Sequence, residues 1–515
     1  MRSSHVPVVD LFAGPGGLGE GFSAFSKKAV PDFRLAISVE KDATAHATLL
    51  LRSFKRQFGR TPELYYDRLR GSIDSEELYR AFPAQAEAAR LEATHLELGP
   101  STRQAVDGLI ERALKREPES WVLVGGPPCQ AYSLVGRSKM RGEDPDAYAR
   151  DPRHFLYREY LRILRRFKPP VFVLENVKGL LSSTIRGRET IREIVRDLHS
   201  AGYTLHSFTR PGTIDKDFGP EDFVIRAEDY GIPQARHRVI ILGLRQGLER
   251  GRSILQPQLR GPTIEDAIRD LPRIRSCISG MSEDFARWKR IVQATARTSI
   301  PRHLRPIAEK HLDAGFPESL GAEFMEARRN GRNPSEWLSS KADWYLDERI
   351  GGVIHHAARG HMESDIQRYL FAAVHAAESG TSPKLADFPK ALLPSHRNII
   401  AAVKGEMFSD RFRVQRRLQA STTIVSHISK DGHYYIHYDP AQCRSLTVRE
   451  AARLQTFPDN YFFEGGRTAQ YHQVGNAVPP LLAREMAAVV SDIASQLRSR
   501  TAVRSIDAVA ELEAR

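Results

Sequence analysis

The sequence predicts an α/β fold: a doubly wound, mostly parallel sheet with a smaller mixed domain inserted late in the chain. Three observations carry this. Short apolar runs bounded by Gly, Pro or acidic residues recur at Val6–Phe12, Arg34–Val39, Trp121–Val124 and Val171–Leu174, and such runs read as strands buried on both faces. Helical stretches separate them, which is the alternation of parallel strands joined by crossovers. Finally, a length of 515 residues exceeds one ordinary core, so at least two domains are expected.

The first strand, VPVVDLF, runs into AGPGGLGEG (Ala13–Gly21) and then a helix. Gly14, Gly16 and Gly19 have the spacing G-x-G-x-x-G, where small residues let a ligand approach the backbone and the helix start. The second strand ends at Glu40, an acidic residue placed to hydrogen-bond ribose hydroxyls. Alone, Glu40 reads as a solvated strand terminus, and the turn fits a nicotinamide and an adenosyl cofactor equally. Residues 71–119, rich in Ala, Leu, Glu and Arg and broken at Gly99-Pro100, read as helices on the sheet faces with no chemistry of their own.

Trp121–Val124 leads into GGPPCQAYS, Gly125–Ser133. Cys129 therefore sits just past a strand's carboxyl end, where open α/β sheets bind ligands. A lone thiol is ordinarily a small buried hydrophobe. Two glycines and two prolines, however, impose an irregular, stiff backbone that a filler residue does not need. The segment Leu134–Arg153, rich in charge, Gly and Pro, has the length of a functional lid or a disordered insertion. Phe155–Phe167 has helical periodicity, and the strand from Val171 ends at Glu175. Strands joined by crossovers share a direction, so Glu175 and Cys129 reach the same sheet edge. Along Tyr230–Leu244, Gln234, Arg236 and Arg238 alternate on one side of an extended chain, a row able to hold a polyanion or clamp a carboxylate. Taken alone, it reads as an edge strand with a solvated basic face.

The formal net charge of +13 favours a polyanionic partner, nucleic acid first. Cys129, Cys277 and Cys443 are far apart and odd in number, which gives neither a disulfide framework nor a Cys-x-x-Cys metal site. No signal-like start or membrane-length apolar segment is visible, so a soluble protein of a reducing compartment is expected. His355, His356 and His361 lack cysteine partners and a matching carboxylate pattern; surface or DNA-contacting histidines are expected there rather than zinc.

Taken in order, DLFAGPGGLGEGF (Asp10–Phe22), SVEKD (Ser38–Asp42), GGPPCQAYS, ENV (Glu175–Val177), QARHRV (Gln234–Val239), RSLTVREAARLQTFPD (Arg444–Asp459) and QVGNAVPP (Gln473–Pro480) make the sequence resemble the DNA cytosine-C5 methyltransferases of bacterial restriction-modification type. Single motifs are weak evidence; several in the family's order are not. The resemblance implies a Rossmann-like S-adenosylmethionine-dependent methyltransferase fold. The catalytic domain would comprise residues 1–275 and 443–497, with a target-recognition domain at 276–442 and a tail at 498–515. Its reaction would be methyl transfer to C5 of a cytosine flipped out of duplex DNA. Cys129, with Gln130 beside it, matches the nucleophile that adds to C6, and Glu175 the carboxyl group on cytosine N3. Arg238 would orient that carboxyl group, with Arg236 as a supporting contact.

By the same resemblance, the cofactor site draws on Asp10, Phe12 (stacked on adenine), Ala13, Gly14, Gly16, Gly17, Leu18, Glu40 (on the ribose), Pro127, Asn476 and Ala477. The family commonly has Gly-Asp-Ile after the third strand, with Asp on the adenine amino group. Here Gly71-Ser72-Ile73 stands instead, and Ser72 or Asp74 is expected in that role. Ser133, Arg137, Lys139 and Arg141 would meet DNA from a lid over the flipped base, and Arg413, Arg416, Arg417 and Thr422 from the recognition domain. Expected partners are double-stranded DNA and proteins of a restriction or antiphage system, in a prokaryotic cytoplasm near the nucleoid, with no membrane and no structural metal. Two alternatives share the architecture. One is a transfer-RNA methyltransferase, against which the long middle domain argues; the other is a silent DNA-binding relative, supported only by Ser72. A dehydrogenase reading leaves the Cys129 loop unexplained.

Overall fold

The computed structural model describes residues 5–27, 32–115, 119–127, 153–182, 184–185, 188–212, 219–326, 333–395 and 410–495. Its largest sheet has eight strands: β1 (Val6–Leu11), β2 (Phe33–Glu40), β3 (Ala93–His95), β4 (Val122–Gly125), β5 (Val171–Val177), β6 (Tyr203–His206), β7 (Val224–Arg226) and β8 (His237–Arg245). The order is β3-β2-β1-β4-β5-β8-β6, with β7 on β8. Strands β3 to β5 in that order run parallel, whereas β8 runs antiparallel to β5, β6 and β7. This is the expected doubly wound, mostly parallel α/β sheet.

Strand residues alternate between two apolar layers, which is why the strands read as continuous hydrophobic runs. Val8, Val122, Val124, Val173, Ile240 and Leu242 face one side, against Leu482, Met486 and Val490 of the helix at 480–495. Val9, Leu11, Leu123, Phe172, Leu174 and Ile241 face the other, against Ile110, Leu164 and Leu198 of helices Arg103–Leu114, Arg153–Phe167 and Thr190–Ser200.

Between β2 and β3 the chain makes the helices Ala43–Arg56, Glu63–Arg70, Ser75–Ala81 and Pro83–Glu92. This corrects the placement of Ser72. Gly71-Ser72-Ile73 does not follow a strand: Gly71 (φ +80°) ends the helix Glu63–Arg70, Ser72 is exposed, and its N–H donates to Asp67 O at 2.9 Å. Asp74 caps the next helix by accepting from the Glu77 N–H at 2.7 Å. The third strand comes later, as Ala93-Thr94-His95, at the end of a stretch whose composition is otherwise helical.

A second body forms around helices Phe285–Thr298, Arg305–Asp313 and Glu363–Ser379, with Trp288, Val292, Ile366, Leu370, Phe412 and Ile436 in its core. Not all of residues 276–442 belong to it. Residues 333–354 cross back onto the sheet-bearing body: Leu338 and Tyr345 pack with Leu482 and Met486, Ile350 and Ile354 with Phe54 and Tyr65, and Trp344 Nε1 donates to Thr456 O at 2.9 Å.

The motif Arg444–Asp459 locks this joint. Thr447 and Glu450 form a capping box at helix Val448–Leu454, each satisfying the other's backbone N–H. Arg444 reaches Glu450 through two bonds of 2.6 and 2.7 Å. Arg453 contacts Asp270 at 2.5 Å and Asp459 at 2.7 Å. Arg449 donates to the carbonyls of Ile354, Pro458 and Tyr461.

Candidate active site

The carboxyl ends of β4 and β5 lie level, Gly125 beside Leu174, so the next residue of each strand meets the other. A Cβ on Gly126 would stand 2.8 Å from Glu175 Oε2, closer than real Cβ atoms come, so the loop toward Cys129 leaves the sheet in contact with Glu175 because position 126 has no side chain. Asn176 Nδ2 donates to Pro127 O at 3.3 Å and holds the loop's first turn. From the antiparallel β8, Arg238 places Nε 3.0 Å from Glu175 Oε1, with both side chains nearly buried, and Nη1 donates to His237 O at 2.8 Å. Burial lowers the Arg238 pKa, and Glu175 acts against that fall. Residues 128–152 lie outside the described residues, and with them Cys129, Gln130, Ser133, Arg137, Lys139 and Arg141.

One strand further along the edge is the glycine turn. Phe12 follows β1 at φ +59°, a left-handed conformation that is uncommon for a bulky residue and concentrates at functional sites. Gly14 N–H and Asp42 N–H each donate to a different oxygen of Glu40 at 2.8 Å, so Glu40 ties the turn to the end of β2. Gly17 opens the helix Gly17–Ala24, and a Cβ there would clash with Val478 O; the motif Gln473–Pro480 thereby packs directly on the turn. Asn476 is exposed two residues before Val478 and Ala477 is buried. Tyr461 Oη donates to Pro15 O from the other side.

Asp10, Ala13 and Leu18 are buried beneath this turn. Neither oxygen of the Asp10 carboxyl is in a hydrogen bond of full geometry, although the Gly19 N–H lies beside it. Burial, joined by the charge of Glu40, pushes its pKa up to about 8, so the group is mostly protonated at neutral pH. Its cross-strand neighbour Ser38 likewise has a buried, unpartnered hydroxyl.

Gln234 and Arg236 are not solvated. Both are buried, because the segment Ser421–Thr422 pairs with Gln234–Ala235. Gln234 Nε2 donates to Gln455 Oε1 at 2.7 Å, and its Oε1 accepts from Ile424 N–H at 2.7 Å. Arg236 donates to Ile424 O at 2.8 Å and Gly475 O at 3.3 Å. It contacts backbone rather than Glu175, so among the described residues only Arg238 of the row clamps the carboxylate. This latch was invisible in the sequence because its partners lie some 190 to 240 positions away.

Thr422 is held by Gln415. Arg413 pairs with Asp410, Arg417 with Glu265 at 2.5 Å, and Arg416 donates to Gly380 O at 3.4 Å. Much of that charge is therefore compensated within the chain. The histidines correct an expectation too: His355, His356 and His361 are buried rather than on the surface. His355 Nδ1 lies 3.0 Å from Glu323 Oε2, His356 bonds Thr447 and Pro272 O, and His361 bonds Ser445. Among the described residues no helix is long and apolar enough to cross a membrane.

Residues 109–492 match the family model of the C-5 cytosine-specific DNA methylases. The type II methyltransferase M.Bpa9945I of Bacillus paralicheniformis is 35% identical over 94% of this chain and 98% of its own length. The type II methyltransferase M.DdeI of Desulfomicrobium norvegicum is 26% identical over 94% of this chain and 88% of its own, and M.AgeI of Thalassovita gelatinovora 27% identical over 94% and 98%. A match across most of the chain, joined to a sheet that brings Glu175, Arg238 and Gly125–Pro127 to one edge, places this protein in the C-5 cytosine-specific DNA methylase family.

Proposed function

We propose that the protein methylates C5 of a cytosine flipped out of duplex DNA, within a short sequence, as the host-protecting half of a restriction-modification system. The observation that supports this best is the Glu175–Arg238 pair at 3.0 Å, set against Gly126 at the root of the Cys129 loop.

Cytosine C5 is a poor nucleophile, so the reaction begins at C6. The Cys129 thiolate adds there, and the ring electron pair moves to C5. A thiol of ordinary pKa near 8.5 is mostly protonated at neutral pH, so the loop must favour the thiolate. Glu175 meets N3 of the ring and shares a proton with it as charge develops. Arg238 holds Glu175 in place, since its Nη1 is fixed on His237 O while Nε faces the carboxylate. Once C5 carries the transferred methyl group, its own proton leaves to a base, the electron pair restores the C5–C6 double bond, the C6–S bond breaks and the thiolate is released. Extruding the base costs a few kcal/mol of lost stacking, which DNA contacts must offset.

The glycine-turn residues fit an adenosyl methyl donor. Glu40 offers carboxylate oxygens at the ribose position, Phe12 an aromatic face, and the buried Asp10 carboxyl and Ser38 hydroxyl are unpartnered polar groups under the turn. Bound there, S-adenosylmethionine supplies an electrophilic methyl group on a sulfonium.

The test is 5-methylcytosine mapping in DNA from cells expressing the protein or its Cys129→Ala variant. Methylation at one short motif with the wild type alone is expected. Equal methylation with both would remove Cys129 from the mechanism.

A further inference from the structure

The peptide plane between Pro15 and Gly16 lies at the middle of the glycine turn, with Gly14 at φ +57° and Gly16 at φ +97° on either side of the proline. Glycine on both sides lets that plane rotate at little steric cost, so other contacts must fix it. Gly16 N–H donates to Ala13 O at 2.9 Å within the turn. Tyr461 Oη donates to Pro15 O from 446 positions away. The plane in turn sets the start of the helix Gly17–Ala24, because Gly16 O accepts its first bond, from Glu20 N–H at 2.8 Å. Rotating the plane would therefore re-aim the first helical N–H groups, which have no partner within the helix.

Tyr461 is buried, and its hydroxyl is the side chain's one polar group. The hydroxyl reaches the turn because position 16 has no side chain: a Cβ there would stand 3.0 Å from Oη and 2.8 Å from Leu49 Cδ1. The tyrosine is itself held from behind. Arg449, bonded to Ile354 O at 3.1 Å and Pro458 O at 3.0 Å, donates to Tyr461 O at 2.9 Å. Arg52 lies 4.8 Å over the ring and donates to Asn460 at 2.8 Å and Glu20 at 2.9 Å. The ring is thus fixed by the joint, and the turn takes its shape from the ring. Burial, then the charge of Glu20, raises the phenol pKa, so the hydroxyl stays a donor at neutral pH.

We propose that Tyr461 is a positioning residue for the methyl donor, holding the Pro15 carbonyl toward the joint so that the turn keeps its donor-binding shape before the donor arrives. This rests on the donor site proposed above. Tyr461 touches neither donor nor base and acts through Pro15.

A matched bond elsewhere separates positioning from stability. Tyr203 on the edge strand β6 is also buried, and its Oη donates to Pro169 O at 3.1 Å. Replacing either tyrosine by Phe keeps the ring and deprives one proline carbonyl of its hydroxyl donor, so the two melting losses should be alike. In calorimetric titration of the full-length protein with S-adenosylhomocysteine, Tyr461→Phe should weaken binding about five- to tenfold, the scale of one hydrogen bond. The donor KM should rise in parallel with kcat at saturating donor unchanged, because binding common to ground and transition states is what is lost. Tyr203→Phe should change neither. Hydrogen exchange on the donor-free wild type decides the matter even if Tyr461→Phe does not fold: the Gly16 amide should exchange as slowly as those of helix Val448–Leu454. Unchanged affinity in Tyr461→Phe, equal weakening in Tyr203→Phe, a fall in kcat alone, or fast exchange at Gly16 while that helix stays protected overturns the role of Tyr461 and leaves the donor site standing. Failure of the wild type to bind S-adenosylhomocysteine overturns the donor site and this assignment together.

Discussion

The carboxyl edge of the sheet and the returning joint use the same residue types in opposite ways. At the joint, Arg444, Arg449 and Arg453 are buried and saturated: one takes Glu450 from two nitrogens, one takes three carbonyls, and one spans Asp270 and Asp459. At the edge, polar groups are left wanting. Asp10 and Ser38 have no formed hydrogen bond, Phe12 is held at positive φ, and Arg238 faces one oxygen of Glu175 while the other stands against Gly126. Buried polar groups are normally satisfied, so the unpartnered Asp10 and Ser38 under the glycine turn support the donor site proposed there.

The sharpest break of this contrast comes from paired carboxylate-to-amide changes. Glu175→Gln should lower methyl transfer by about 10² to 10⁴, the range of a positioned proton donor, with a smaller loss of melting temperature than Glu450→Gln, because Arg238 and Glu175 keep 12% and 14% of their side-chain surface exposed against 1% and 2% for Arg444 and Glu450. Glu450→Gln should do the reverse. Leaving Arg444 buried beside a neutral amide costs about 3–5 kcal/mol, as for other broken buried pairs, while the folded fraction keeps its turnover. Methyl incorporation normalised to folded protein, beside thermal melts, separates the two; a large melting loss in Glu175→Gln would erase the distinction.

Asp10 and Glu20 sharpen the comparison within ten residues of sequence. Burial raises the pKa of both carboxyls. At Glu20 the charge and hydrogen bonds of Arg52, with Arg56 behind them, outweigh burial and hold it at about 2; at Asp10 nothing outweighs burial, and the pKa rises to about 8. The signs of their linkage to stability are therefore opposite. Glu20 contributes stability above its unfolded value of 4.5 that is lost as pH falls toward 2. Asp10 binds its proton more tightly folded than unfolded, so stability declines as pH rises from 3.8 to about 8. Asp10→Asn should flatten that decline, and Glu20→Gln should remove the acid-side loss while lowering stability at neutral pH. Urea midpoints across pH 3 to 9 read both, and an unchanged alkaline slope in Asp10→Asn would mean the carboxyl is ionised.

The sequence made the edge legible wherever the backbone itself is unusual. Gly and Pro around Cys129 and the glycine turn announced irregular chain at strand ends, and the structure puts Gly126 and Gly17 in contacts that admit no side chain. Strand β3 was missed because it is three residues long, paired on one side only and preceded by helix-forming residues. The Gly71-Ser72-Ile73 pattern accordingly stands more than twenty positions before β3 rather than after it. Arg236 and the joint's arginines could not be read as buried. A guanidinium looks solvated until its partners are known, and those of Arg453 include Asp270, 183 positions away. Charge pattern along a chain reports local neighbours, while burial of charge is decided by tertiary ones.

The smallest expected effect concerns the basic surface, where the contrast is least complete. Removing a cation that neutralises a phosphate lowers the dependence of log affinity on log salt by about one. Arg417 is a little over half exposed and paired with Glu265 at 2.5 Å, so part of its charge is already compensated. Arg417→Ala should therefore change the salt slope by less than one and weaken DNA binding evenly across sequences, since a phosphate contact positions without specifying. Glu265→Gln should steepen the slope, because it frees Arg417 for the phosphate backbone. A full unit lost in Arg417→Ala, with no change in Glu265→Gln, would mean that DNA takes Arg417 from its partner. That would move this surface from the saturated class of the joint into the unfinished class of the edge.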